Sequence, residues 1–149
     1  MYNDTFYTNK NIDNIKIAIF SDVHYYYPNY DLKIFQKIKN QLLKNKPDYI
    51  CIIGDLIDEE NISNYDELIS LLNEISSIAP IIYVLGNHEL KLRIKNKWRA
   101  ASNTPILQAI KEVKNLIVLE DSKYILPNSN ICFYGRSEEH TSELQSLAY

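Results

Sequence analysis

Three short apolar runs constrain this chain more than any other feature: IKIAIF (Ile15–Phe20), YICII (Tyr49–Ile53) and IIYVL (Ile81–Leu85). Each is too short for a buried helix and is rich in β-branched residues, so each predicts a buried strand. The segments between them change period. From Asp31 to Lys44, Leu32, Phe35, Ile38 and Leu42 fall at helical spacing, with Asp31 as a cap and Pro47 closing the segment. A second helix opens at Ser63 or Asn64, carries Leu68, Leu72, Ile75 and Ile78 on one face, and ends before Pro80. This β-α-β-α-β order predicts a parallel sheet with right-handed crossovers. Strands this uniformly apolar predict a sheet covered on both faces.

Downstream, the pattern predicts a helix over Thr104–Val113 and a strand at Leu116–Leu119. Strands at Lys123–Leu126 and Asn130–Tyr134 flank the turn signal PNSN and read as a hairpin. Residues 1–14 are polar and read as a flexible N-terminus. The 149 residues bound the chain to one domain or part of one. A net charge of -3 gives no reason to expect nucleic acid or an anionic membrane as a partner. No window approaches the ~20 apolar residues of a membrane span. The opening MYNDTFYTNKNIDN has no leader-like pattern, so the cytoplasm is the expected location. Cys51 and Cys132 both lie in apolar runs and read as reduced, buried hydrophobes.

The polar tips of the first three strands carry the chemistry. After Phe20 comes SDVH, after Ile53 GDLID, and after Leu85 GNHE. Functional groups of an open parallel sheet gather at the carboxyl ends of its strands, so Asp22, His24, Asp55, Asn87 and His88 should converge on one rim. Taken singly, each reads as an ordinary turn or loop residue. Together they form a mixed oxygen and nitrogen donor set that suits Mn, Fe or Zn better than calcium. A carboxylate between two such ions holds them ~3.5–4 Å apart, and the pair clamps the oxygens of a phosphate ester while activating water. Gly54 and Gly86 let the backbone turn sharply off the strands.

The three motifs, in this order and each after an apolar strand, resemble the D-x-H, G-D-x-x-D and G-N-H-[ED] signatures of the calcineurin-like metallophosphoesterases. The resemblance covers residues 15–135. It implies an α/β fold, a two-sheet sandwich flanked by helices, and two divalent metal ions drawn from Mn, Fe, Zn and Ni. It implies that Asp22 and His24 hold the first ion, that Asp55 bridges both, and that Asn87 holds the second. His88 would be the catalytic group that assists the leaving oxygen, and Asp58 would orient His88 or a ligand. The implied substrate is a small phosphate ester, either a monoester or a diester.

The chain also departs from the family pattern. The family continues with a further histidine and a G-H-x-H pair, whereas this chain has three histidines in all, His24, His88 and His140. GDLIDEE lacks the Arg-Gly that comes after the second aspartate in Ser/Thr protein phosphatases, so that branch is not expected. The last stretch, RSEEHTSELQSLAY (Arg136–Tyr149), contains no Ile, Lys or Asn, although the body is crowded with all three. Back-translated, Arg136–Ser146 resembles a widely used short-read sequencing adapter; the competing reading is a polar helix carrying Glu138, Glu139 and Glu143. Residues 15–135 are therefore expected to form a truncated metallophosphoesterase sandwich with its second sheet largely missing, and residues 136–149 a non-native tail.

The sequence supports two readings of function. In the first, the parent protein is a two-metal phosphohydrolase. In the second, this chain is a non-catalytic, incompletely folded piece that lacks the C-terminal histidine ligands. A pure scaffold role is disfavoured because every early ligand is intact. The aromatic run YYYPNY (Tyr25–Tyr30) reads either as a lining of the substrate mouth or as a loop packed over the rim. Trp98 with Arg93, Lys95, Lys97 and Arg99 reads either as a phosphate contact or as a solvated helix face.

Overall fold

The structure is a computed structural model that describes residues 4–8, 14–25, 33–58, 64–89, 104–127 and 129–136. Its elements alternate as the hydrophobic periods predict. They are β1 (Ile17–Phe20), α1 (Lys33–Asn45), β2 (Tyr49–Ile53), α2 (Asp66–Ser76), β3 (Ile81–Val84), α3 (Pro105–Lys111), β4 (Leu116–Leu119), β5 (Ser122–Ile125) and β6 (Cys132–Gly135). The first four strands form one parallel sheet in the order β1-β2-β3-β4, and β5 pairs antiparallel with β6 in a small second sheet. The fold is α/β.

The strand order decides where the helices go. Consecutive parallel strands joined by right-handed crossovers, always stepping in the same direction, put every connecting helix on the same face. Phe35 and Leu42 of α1, Leu68, Leu72 and Ile75 of α2, and Ile106, Leu107 and Ile110 of α3 share one core. With them pack Ile50, Ile52, Ile81, Tyr83 and Leu116 from the sheet. Each fully buried side chain of this kind contributes about 1.5–3 kcal/mol relative to an exposed one. Local chemistry supports the helices. Thr104 caps α3 by accepting from the Leu107 N–H at 3.4 Å, and Pro105 occupies the first turn. At α2, Asn64 Oδ1 accepts from the Asp66 N–H at 3.1 Å.

The opposite face differs from the expectation of full cover. Cys51, Ile82 and Leu119 are buried there beneath Tyr124 and Phe133 of the β5–β6 hairpin. The hairpin sits tightly on β3 and β4: a Cβ at Gly135 would press on the Leu119 side chain and lie 3.2 Å from Val84 Cγ2. Toward β1 this cover runs out. Ile19, registered with Cys51, is 62% exposed, and Ile53, registered with Val84, is 55% exposed. Among the described residues, helices cover one face and a hairpin covers part of the other.

The two cysteines part company. Cys51 is buried, as its run implies, and burial pushes its thiol up to about 11. Cys132 is exposed, because alternate residues of a half-covered strand face opposite sides and Cys132 falls on the outer one. Asp31, Leu32, Ser63, Tyr26–Tyr30, His140 and the Trp98 stretch lie outside the described residues.

Candidate metal centre

The tips of β1 and β2 run on side by side after the strands end. The Asp22 N–H donates to the Gly54 carbonyl at 3.3 Å, His24 N–H to Asp55 O at 3.0 Å, and Tyr25 N–H to Leu56 O at 2.8 Å. The Asp58 N–H returns to Tyr25 O at 3.0 Å. Along this zipper Val23, Tyr25, Leu56 and Ile57 are buried, while Asp22, His24, Asp55 and Asp58 stay accessible. Tyr25 packs edge-on to Phe35 with ring centroids 6.5 Å apart, so it belongs to the core and not to a substrate mouth.

Asp22 (φ 54°), His24 (φ 50°) and Asp55 (φ 51°) all adopt the left-handed backbone region, as does Gly54 (φ 86°). For a non-glycine residue this conformation costs roughly 1–2 kcal/mol, less for aspartate than for most. Such strain persists where the surroundings over-determine it, and it concentrates at functional sites. Here the buried apolar residues anchor the two tips and the polar residues absorb the strain.

His24, Asp55 and His88 each offer a ligand atom, and these atoms lie within 4.8 Å of one another. The two imidazoles meet edge to face, with centroids 4.7 Å apart and planes at 82°. Asp58 stands behind both: its Oδ1 is 3.1 Å from His24 Nδ1 and 2.9 Å from His88 Nδ1. With the His24 Nδ1–H assigned to that carboxylate, its Nε2 presents a lone pair to the site, while His88 Nδ1 also lies 3.4 Å from the Asp58 backbone carbonyl. Asp55 Oδ1 accepts the His88 backbone N–H at 3.0 Å, which ties the β2 tip to the β3 tip. One carboxylate and two imidazoles make a donor set that fits Mn, Fe or Zn.

Asp22, expected from the sequence as an ion ligand, lies outside this group. Asp22 is two-thirds exposed, accepts from Ser21 Oγ, and places Oδ1 3.8 Å from His24 Nε2. Asn87 is exposed and comes after Gly86 at the start of a helical turn over residues 87–89. Gly54 and Gly86 lie back to back. A Cβ on Gly54 would come within 2.7 Å of Gly86 Cα, and a Cβ on Gly86 would strike the Asp55 carboxylate and backbone N.

Glu89, to which the sequence assigned no role, is fully buried. Its Oε2 accepts the N–H groups of Gly86 (2.8 Å) and Asp55 (3.0 Å), and its Oε1 accepts that of Ile57 (2.9 Å). One signal was present in the sequence: a glutamate three residues after Gly86, the spacing of a capping box at a helix start. Beneath it, burial and then the neighbouring Glu89 and Asp55 carboxylates hold the Tyr83 hydroxyl well above the usual tyrosine range. By geometry Tyr83 Oη has no hydrogen-bond partner among the described residues, so its tie to Glu89 is electrostatic.

No helix of the described residues is long and apolar enough to cross a membrane. No individual curated protein matches the chain significantly. The model of the calcineurin-like phosphoesterase family matches residues 15–148. With the parallel sheet, the three polar tips and the metal-capable cluster already in place, that match shows that the chain belongs to the calcineurin-like phosphoesterase family.

Proposed function

We propose that this sequence carries the site of a hydrolase that cleaves small phosphate monoesters or diesters with two divalent ions. The family acts on phosphoesters and generally uses divalent metals. The observation that carries the finer reading is the gathering of His24, Asp55 and His88 within 4.8 Å on one rim. Asp22 and His24 would hold one ion, Asn87 the other, and Asp55 would bridge them. Bound there, the ions would polarise the phosphoryl oxygens and supply an activated water.

In this reading His88 keeps the role of proton donor. Its Nδ1 lies 2.9 Å from the Asp58 carboxylate and 3.4 Å from the Asp58 backbone carbonyl, so Asp58 would offset the charge of a protonated ring. Nε2, protonated and so not an ion ligand in this reading, is then the atom that would deliver a proton to the leaving oxygen. Asp58 also fixes the ring of His24 and so orients both imidazoles at once. The exposure of Asp22 leaves the rim open to a small ester. Manganese-dependent hydrolysis of bis(p-nitrophenyl) phosphate by the 149-residue chain tests this reading. Loss of that turnover on Asp55→Asn supports it; turnover indifferent to Asp55→Asn overturns it.

A second reading has one observation in its favour: Ile19 and Ile53 leave part of the sheet's second face open. In that reading the chain is a non-catalytic piece, short of the histidines that complete both metal sites, and residues 136–149 derive from adapter sequence. A long read of the source DNA across the Gly135 codon tests the tail. A genomic frame that encodes RSEEHTSELQSLAY refutes the adapter origin; divergence near Arg136 and a G-H-x-H motif beyond it support it.

A further inference from the structure

Glu89 is a buried carboxylate with no cation beside it among the described residues, and three backbone N–H groups converge on it instead. A buried charge is tolerated only when hydrogen bonds replace its lost hydration, and bonds to a charged acceptor are the stronger kind. The identity of these N–H groups matters. Gly86 opens the β3 tip, while Asp55 and Ile57 belong to the β2 tip. The carboxylate therefore binds two separate turns into one unit.

The clasp is reciprocal. Within the turn that starts at residue 87, Glu89 reaches back to the Gly86 N–H, the glutamate half of a capping box. The other half normally comes from a side chain at the position Gly86 occupies, and glycine has none. Asp55 supplies it from the neighbouring strand, its Oδ1 accepting the His88 N–H at 3.0 Å. A side chain at Gly86 would occupy the space that Asp55 Oδ1 fills. So Glu89 holds the backbone of Asp55, and Asp55 holds the backbone of His88.

We propose that Glu89 is the positioning residue of the metal centre: its carboxylate sets the placement of Asp55 and, through Asp55, of His88. This rests on the metal-centre reading above. The role needs two acceptor oxygens and no donor. Glutamine has nearly the same shape but turns an NH2 group toward one of the three N–H donors, leaving that pair opposed. Glu89→Gln should therefore keep the fold and loosen the site.

Two measurements on the full 149-residue chain test this. The first is calorimetric binding of Mn2+ alone, with the visible absorption of the Co2+ form as a probe of ligand geometry. Glu89→Gln should weaken Mn2+ binding about tenfold or more and change the Co2+ spectrum. Unchanged affinity and spectrum, with only a lower melting temperature, would mean that Glu89 merely stabilises the fold, and the proposal falls. The second measurement, metal-free hydrogen exchange, still decides the matter where the wild-type chain binds no divalent ion and the metal-centre reading itself fails. The His88 N–H donates to Asp55 and not to the Glu89 carboxylate, yet Glu89→Gln should speed its exchange along with those of Gly86, Asp55 and Ile57. If His88 is unmoved while the other three speed up, the proposal is overturned. Should the variant not fold, the wild-type chain gives the answer: the four amides open with one common protection factor, and an independently opening His88 refutes the clasp.

Discussion

His24 and His88, which stand beyond the ends of different strands, meet edge to face with ring centroids 4.7 Å apart, and one carboxylate oxygen of Asp58 lies within 3.1 Å of Nδ1 on both. A single side chain therefore sets two rings. Asp58→Asn keeps the shape and can keep an acceptor oxygen at that position, but it removes the negative charge that faces both rings. We expect a loss of about 10–100-fold in divalent-metal affinity or in kcat/KM on an aryl phosphodiester. Calorimetry and steady-state kinetics on the same preparations check it. A variant within about twofold of wild type on both, well short of that loss, would show that the two rings are held by their own packing.

Metal removal gives a second expectation. Asp55 supplies the carboxylate of the cluster and is also held by two backbone hydrogen bonds, so the site should survive in shape when empty. Dialysis against EDTA should abolish hydrolysis, and added Mn2+ should restore it without refolding. The far-ultraviolet circular dichroism should stay unchanged throughout. Activity that persists after dialysis would contradict the assignment.

The glycine pair is sterically closed. Gly86→Ala places a methyl group against the Asp55 carboxylate, the Asp55 backbone N and Gly54 Cα, none of which is a flexible chain end. We expect a stability loss of about 2–3 kcal/mol in urea denaturation, at the upper end for a single substitution. Metal affinity should fall with it, because the displaced group is the ligand itself. Gly54→Ala should destabilise as well, since φ is 86° there and Gly86 Cα lies 2.7 Å from the added carbon.

The two thiols should differ in reactivity. Burial pushes Cys51 up from 9.0 to about 11, which disfavours the anion. Only the thiolate reacts, and a thiol near 11 is about one part in a thousand thiolate at pH 8. Iodoacetamide at pH 8 should therefore label exposed Cys132 well before buried Cys51 in the folded chain. Mass spectrometry of peptides reads this directly. Equal labelling would mean that the sheet face around Cys51 opens readily.

The open part of the sheet's second face yields a prediction about association. Ile19 and Ile53 sit on the face that the hairpin leaves uncovered. Ile53→Lys should lower the concentration dependence of the sedimentation coefficient while leaving secondary structure intact. Unchanged sedimentation would show that this face does not drive self-association.

The strands, the helices and the polar tips were legible in the sequence because each rests on local physics. Apolar runs and 3.6-residue spacing place β1 through β4 and the three helices, and the tips begin where the apolar runs stop. The family signatures lie in those same tips and need no long-range information. Only the tertiary structure decided the pairings of residues thirty or more positions apart: Asp58 shared by His24 and His88, and Glu89 gripping Asp55 and Ile57. No periodicity encodes such pairs, because they exist only once the sheet has aligned the tips. The left-handed backbone at Asp22, His24 and Asp55 belongs to the same class, since buried neighbours impose it against local preference. So does the fate of the cysteines. Similar apolar runs hold both, and only the position of the hairpin over the sheet buries Cys51 while leaving Cys132 in water.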